Sequence, residues 1–143
     1  MAVSTTCLVG VLAMQYPIDK ITATINSNKA WDKIGLGESG DAYLVGPDKM
    51  LRTDLRDVLT AKAEFVQRLG DLASSDVRAL IDKKSSTIGT VKADSTAAQE
   101  ALAGRTGVER FVDFRGVPML GAYAPLVIEG LNWGIVTAIS QAE

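Results

Sequence analysis

"GLGESGDAYLVGPDKMLRTD" runs from Gly35 to Asp54 and opens with a literal G-x-G-x-x-G. An acidic residue, Asp54, follows about 20 positions on, as in the fingerprint of a dinucleotide-binding loop. Such a loop needs a strand before it and a helix behind it, because the helix N-terminus supplies the N–H groups that hold a pyrophosphate. Here the order is inverted. Ile18, Ile21 and Ile25 recur at helical spacing ahead of the glycines, predicting a helix over 17–28. Behind them "DAYLV" alternates like a strand, "GPDK" is a Pro/Asp turn, and "MLRTD" is a second strand. The glycines are expected to enter a β-hairpin rather than a phosphate site.

Ahead of that helix, "LVGVLAMQY" at 8–16 has the aliphatic content and length of a buried strand. From Leu55 to about Lys84 an apolar face repeats with helical period, interrupted at Gly70, and Ser74 or Ser75 caps a second short helix. "TIGTV" reads as a short strand. "ADSTAAQEALAG" is a helix capped by Asp94 or Ser95 and stopped at Gly104 in the left-handed position. The last third is β: "GVERFVDF", a two-residue "RG" turn, "VPMLGAYAPLVI", then "EGLNWGIVTAIS". That order predicts an α+β domain with a mainly antiparallel sheet and helices gathered to one side.

Composition narrows the chemistry. The chain has 143 residues, 47% of them hydrophobic, enough for one domain with a packed core. A net charge of −2 without a basic block gives no footprint for nucleic acid. With no histidine, Ser-His-Asp and Cys-His catalysis are excluded. The single cysteine, Cys7, is expected to be a small core residue. Glu38 and Asp41 lack the ligand spacing of an EF-hand. No catalysis and no cofactor are expected. The apolar run Cys7–Met14 is far short of the ~20 residues of a membrane helix, and no signal peptide is visible.

Three stretches together, "GLGESGDAYLVGPDKMLRTDLR", "DFRGVPMLGAYAPL" and "GLNWGIVTAISQAE", resemble the Cache family of extracytoplasmic sensor domains, which are PAS-like in fold. The nearest likeness is to the membrane-proximal unit of double-Cache sensors on bacterial adenylate/guanylate cyclases, histidine kinases and chemotaxis receptors. The resemblance implies a central antiparallel sheet of about five strands flanked by helices, with small molecules bound between the sheet and overlying loops. It implies one domain over 1–143, with a strand and linking helix in 1–30 and the sheet core in 35–143. It also implies a periplasmic or extracellular location at the bacterial inner membrane, and a homodimeric parent receptor tethered by flanking helices outside this segment. The stretch that often reads R-S-D-S-R in relatives is "RTDLR" here, Arg52 to Arg56, and the signature of amino-acid-binding relatives is not recognisable.

Pairing geometry supplies candidate ligand contacts. With Pro47 and Asp48 as the turn, Tyr43 is expected opposite Arg52 and Val45 opposite Met50, a phenol beside a guanidinium that suits an anion or carboxylate. The bland reading of that pair is a solvated cross-strand contact. Asp54 and Arg56 follow on the same stretch, where Asp54 and Asp57 also read as acids favouring a helix start. In the meander, the two-residue turn sets Val112, Phe114, Val117, Met119 and Tyr123 on one face and Phe111, Asp113, Leu120 and Ala122 on the other. Tyr123 and Asp113 are its polar exceptions, Asp113 either contacting a ligand amine or pairing with Arg115; Trp133 reads as a core anchor. The resemblance implies two functions: a small-molecule sensing domain, or a ligand-free relay between a distal sensor and the membrane.

Overall fold

In the computed structural model, residue 10 and residues 12–143 are described. The order of elements is α1 (Ile18–Ile25), two short 3₁₀ turns, β1 (Asp41–Val45), α2 (Arg56–Thr60), α3 (Lys62–Leu69), α4 (Ser75–Lys84), α5 (Thr96–Leu102), β2 (Gly107–Val112), β3 (Pro118–Ile128) and β4 (Leu131–Ser140), with a further 3₁₀ turn after α3. The fold is α+β. Among the described residues four strands form one antiparallel sheet in the order β1-β4-β3-β2. The expected strand "MLRTD" is reduced to isolated bridges, Leu51 to Val45 and Met50 to Lys92, and the expected strand "TIGTV" at 87–91 is a run of turns that ends just before Lys92.

Both sheet connections shift the expected register by one residue. Val45 lies opposite Leu51, not Met50, because residues 46–50 make a wider loop in which Lys49 takes φ +64° and Asp48 accepts from the Met50 N–H at 3.0 Å. Val112 pairs with Pro118 and Phe111 with Met119, because the Asp113 carboxylate collects the Arg115 and Val117 N–H groups and spreads the turn. A one-residue slip reverses the faces. Phe111, Met119 and Asp113 are thus buried together, whereas Val112 and Leu120 face outward.

The helices lie where the caps put them. Ser74 accepts from the Val77 N–H and Ser95 from the Ala98 N–H, and Gly104 follows α5 at φ +81°. Ala97, Ala98 and Ala101 are fully buried, giving α5 a flat face on the sheet. Gly134 makes that approach possible, since a Cβ there would meet the Ala101 Cβ at 2.6 Å. The main core gathers Tyr43, Val45, Leu51, Leu55, Phe65, Ile81, Phe111, Met119 and Val136. A smaller cluster of Trp31, Leu36 and Ala42, with Ile25 and Ile139 against it, covers the end of the opposite face nearest α1.

The run 8–16 is not a buried strand where it is described. Leu12, Met14 and Tyr16 belong to no regular element and are exposed at 88%, 90% and 70%. Both sides of β1 are occupied, by β4 and by the Leu51 bridge, so no slot beside it remains. Cys7, Leu8, Val9 and Val11 lie outside the described residues. No helix among the described residues is long and apolar enough to cross a membrane.

Candidate functional site

The glycine motif resolves into three separate backbone requirements. Gly35 ends a 3₁₀ turn at φ +78°. Gly37, at φ +51°, leaves room for a carboxylate: a Cβ there would meet Glu143 Oε1 at 1.9 Å. At Gly40 the N–H donates to Leu36 O at 2.8 Å, and a Cβ would sit 2.1 Å from that oxygen. Asp41 then begins a strand, not a helix. The loop has no following helix to offer a pyrophosphate.

Arg56 organises this loop from the start of α2. Its Nη1 donates to Gly37 O at 2.8 Å and Gly40 O at 3.0 Å, and its guanidinium lies 4.6 Å above the Trp31 ring. Asp41, 8% exposed, accepts from the Arg56 N–H at 2.7 Å and from the Ala42 N–H at 2.8 Å. Burial nevertheless dominates and pushes the Asp41 carboxyl up to about 6.

Beside this corner a cleft of about 560 Å³ opens between α3 and one end of the sheet. Phe65, Leu69 and Met119 supply apolar wall, and Glu38 and Ser39 of the glycine loop form its rim. Its polar floor is a chain of charges. Arg115 Nε donates to Asp113 Oδ2 at 2.7 Å, Arg115 Nη1 to Asp57 Oδ2 at 2.7 Å, and Arg68 Nη2 lies 3.3 Å from the same Asp57 oxygen. Burial pulls the Arg115 guanidinium down, but Asp113, Asp57 and Asp41 together outweigh it and hold it above its ordinary value. Arg68 is the exposed end of the chain, with 62% of its side chain open to solvent.

Under the cleft a cavity of about 10 Å³ touches Asp41, Tyr43, Asp113, Phe114, Arg115 and Met119. The Tyr43 hydroxyl is buried without a hydrogen-bond partner among the described residues. Ser95 is close enough to moderate its acidity but serves as the cap of α5, and burial still raises the phenol to about 12.

The expected contacts separate accordingly. Tyr43 and Asp113 meet at this inner cavity. Tyr43 pairs with Val136 of β4 on one edge of β1, and on the other edge the wider loop sets the bridge at Val45–Leu51, one residue off the register that would pair Tyr43 with Arg52. Arg52 is bound to Asp48 at 2.7 Å and lies 5.7 Å from the half-buried Trp133 ring, which stands on the other sheet face outside the main core. Asp54 holds the chain at Ser86 and Thr87, accepting from Ser86 Oγ and Thr87 N at 2.7 Å each. Arg56 serves the loop. Tyr123 packs on Gly107 in the middle of the meander, paired with Val136, and does not line the cleft. Asp113 takes the turn role, paired with Arg115. Sequence reasoning missed Arg115, Asp57 and Arg68 as a group. The available signal was the helical spacing of Asp57 and Arg68, obscured by the break at Ala61, where φ is −145°.

The fold and the cleft define an α+β domain with a four-stranded antiparallel sheet and a chamber of small-molecule size at one end of it. Compared with known proteins, the chain matches no family model, no curated protein and no solved structure.

Proposed function

We propose that this chain is the extracytoplasmic small-molecule sensing domain of a bacterial transmembrane signalling protein, of the PAS-like Cache kind. Ligand binding in the cleft beside α3 would pass a conformational change to a cytoplasmic output module. The observation that carries this reading is the cleft itself. It lies between the sheet and the helical layer, its volume falls within the ~300–1,000 Å³ of small-molecule pockets, and charged groups converge on its floor. The Leu51 bridge beside β1 supplies a short fifth element to the sheet, in keeping with a PAS-like layout.

The ligand is a small polar molecule bearing an anion, best a carboxylate. Arg68 shares one Asp57 oxygen with Arg115, so an incoming carboxylate can take over Arg68 at little cost to the buried pair. No nucleic acid and no enzymatic turnover belong to this proposal. The parent receptor is placed at the inner membrane as a homodimer, joined to it by flanking helices.

Thermal-shift screening of small carboxylates, amines and other metabolites tests the reading, with wild type and Arg68→Ala in parallel. A hit that stabilises wild type and loses its effect in Arg68→Ala supports it. A flat panel removes it and favours the second reading, a ligand-free relay. That alternative draws on the direct tie between the glycine loop and Glu143 beyond β4.

A further inference from the structure

Glu143 lies more than a hundred residues from the glycine loop in sequence, yet its carboxylate fills it. Oε1 accepts from the Glu38 N–H at 2.9 Å, and Oε2 accepts from the Ser39 N–H at 3.0 Å and from the Ser39 hydroxyl. Ser39 Oγ in turn accepts from the Ser140 N–H at 3.0 Å, so one serine joins the loop, the end of β4 and the carboxylate. Two adjacent backbone N–H groups and a hydroxyl converging on one carboxylate form an anion seat. Gly37 keeps that seat open, by its positive φ and by the absence of a Cβ. Glu38, Ser39 and Ser140 are also cleft-lining residues. The seat is therefore part of the cleft rim, and the group sitting in it belongs to the segment that follows β4.

We propose that Glu143 is a built-in surrogate ligand: a free carboxylate entering the cleft takes its place on Glu38 and Ser39 and releases the segment after β4. This rests on the sensing reading and adds its trigger. The seat binds the ligand anion, Arg68 faces the same cleft, and the displaced chain carries the change away from the sheet. Its donors also hold the Glu143 carboxyl below the usual carboxylate range, the Ser39 hydroxyl first and the two N–H groups next. The intramolecular anion is thus fully charged at neutral pH and competes as a carboxylate. Arg56 is the cation acting on it across the loop.

The test is a titration of the full chain with succinate, followed by the amide NMR signals of Glu38 and Ser39, in wild type, Glu143→Gln and Gly37→Ala. Succinamide is the uncharged control. A seat occupied by its own chain lowers apparent affinity by the fraction left free, so removing the occupant raises it. The expected result is saturable movement of both amides in wild type, about tenfold tighter binding in Glu143→Gln, and no response to succinamide. Gly37→Ala is expected to lose the response. Should that variant unfold, the Glu143→Gln comparison decides alone. Equal affinities in wild type and Glu143→Gln overturn the displacement, and unmoved amides in both overturn the seat. A metabolite that stabilises the fold while leaving these amides unmoved also overturns this inference, yet spares the sensing reading.

Discussion

Arg115 Nη1 stands 2.7 Å from Asp57 Oδ2, tying the β2–β3 turn to the first turn of α2. The same guanidinium holds Asp113, whose carboxylate is already committed to two N–H groups of that turn. One side chain thus fixes the turn, the helical layer and the floor of the cleft. Replacing it leaves a buried carboxylate short of its cation, which costs more than the loss of a surface pair. Arg115→Ala is expected to lower stability by about 2 kcal/mol. Asp57→Ala should cost about 1 kcal/mol or less. Urea unfolding of both variants and the double mutant checks this, with a coupling of about 1 kcal/mol between the sites.

Asp41 predicts an unusual pH dependence. Its carboxyl is raised from 3.8 to about 6, first by burial, against the Arg56 and Ala42 N–H groups and Arg115. Between those two values the native state binds more protons than the unfolded chain, so stability falls as pH rises from about 4 to about 6 and is level above. The span is at most about 3 kcal/mol. Asp48, Asp94, Glu100 and Glu143 are shifted the other way, and their contributions, present at neutral pH, fade only in more acidic solution. Asp41→Asn is expected to flatten the slope between pH 4 and 7 in urea unfolding; an unchanged slope would contradict the assignment.

Two glycines of similar apparent crowding should respond differently to alanine. At Gly40 a Cβ meets the Leu36 backbone oxygen at 2.1 Å and Ile139 Cγ2 at 2.8 Å, neither free to leave. At Gly46 it meets the Arg52 guanidinium at 2.2 Å, the tip of a flexible side chain. Gly40→Ala is expected to cost about 3 kcal/mol. Gly46→Ala should cost under about 1 kcal/mol, mainly the Arg52–Asp48 pair. Thermal melts of the two variants side by side give the ranking.

Tyr43→Phe removes a buried hydroxyl that makes no hydrogen bond among the described residues. An unpartnered polar group in the core is a cost, so its loss should leave stability unchanged or raise it by about 1 kcal/mol. A marked drop in melting temperature would show that the hydroxyl has a partner after all.

How much of this was legible in the sequence follows from two loops. The inverted context of the glycines, the caps at Ser74 and Ser95 and the antiparallel meander were all readable from local rules. Register was not. Asp48 and Asp113 each fold a carboxylate back onto N–H groups two to four positions ahead, widening both loops by a residue. The slip at Asp113 moved Phe111 to the side of Met119, and the slip at Asp48 separated Tyr43 from Arg52. The candidate site suffered most, because Arg115, Asp57 and Arg68 come from three elements and converge only through tertiary packing. Glu143 was equally hidden, its partners being loop N–H groups that carry no residue signature.

An amide NMR screen of small carboxylates, amines and other metabolites decides whether the cleft beside α3 receives a small molecule. At least one compound is expected to give shifts that cluster at Phe65, Arg68, Arg115, Met119 and Ser140, residues that wall the cleft. A panel that moves none of these signals, or whose binder maps to Arg52 and Trp133 on the opposite face of the sheet, would contradict it.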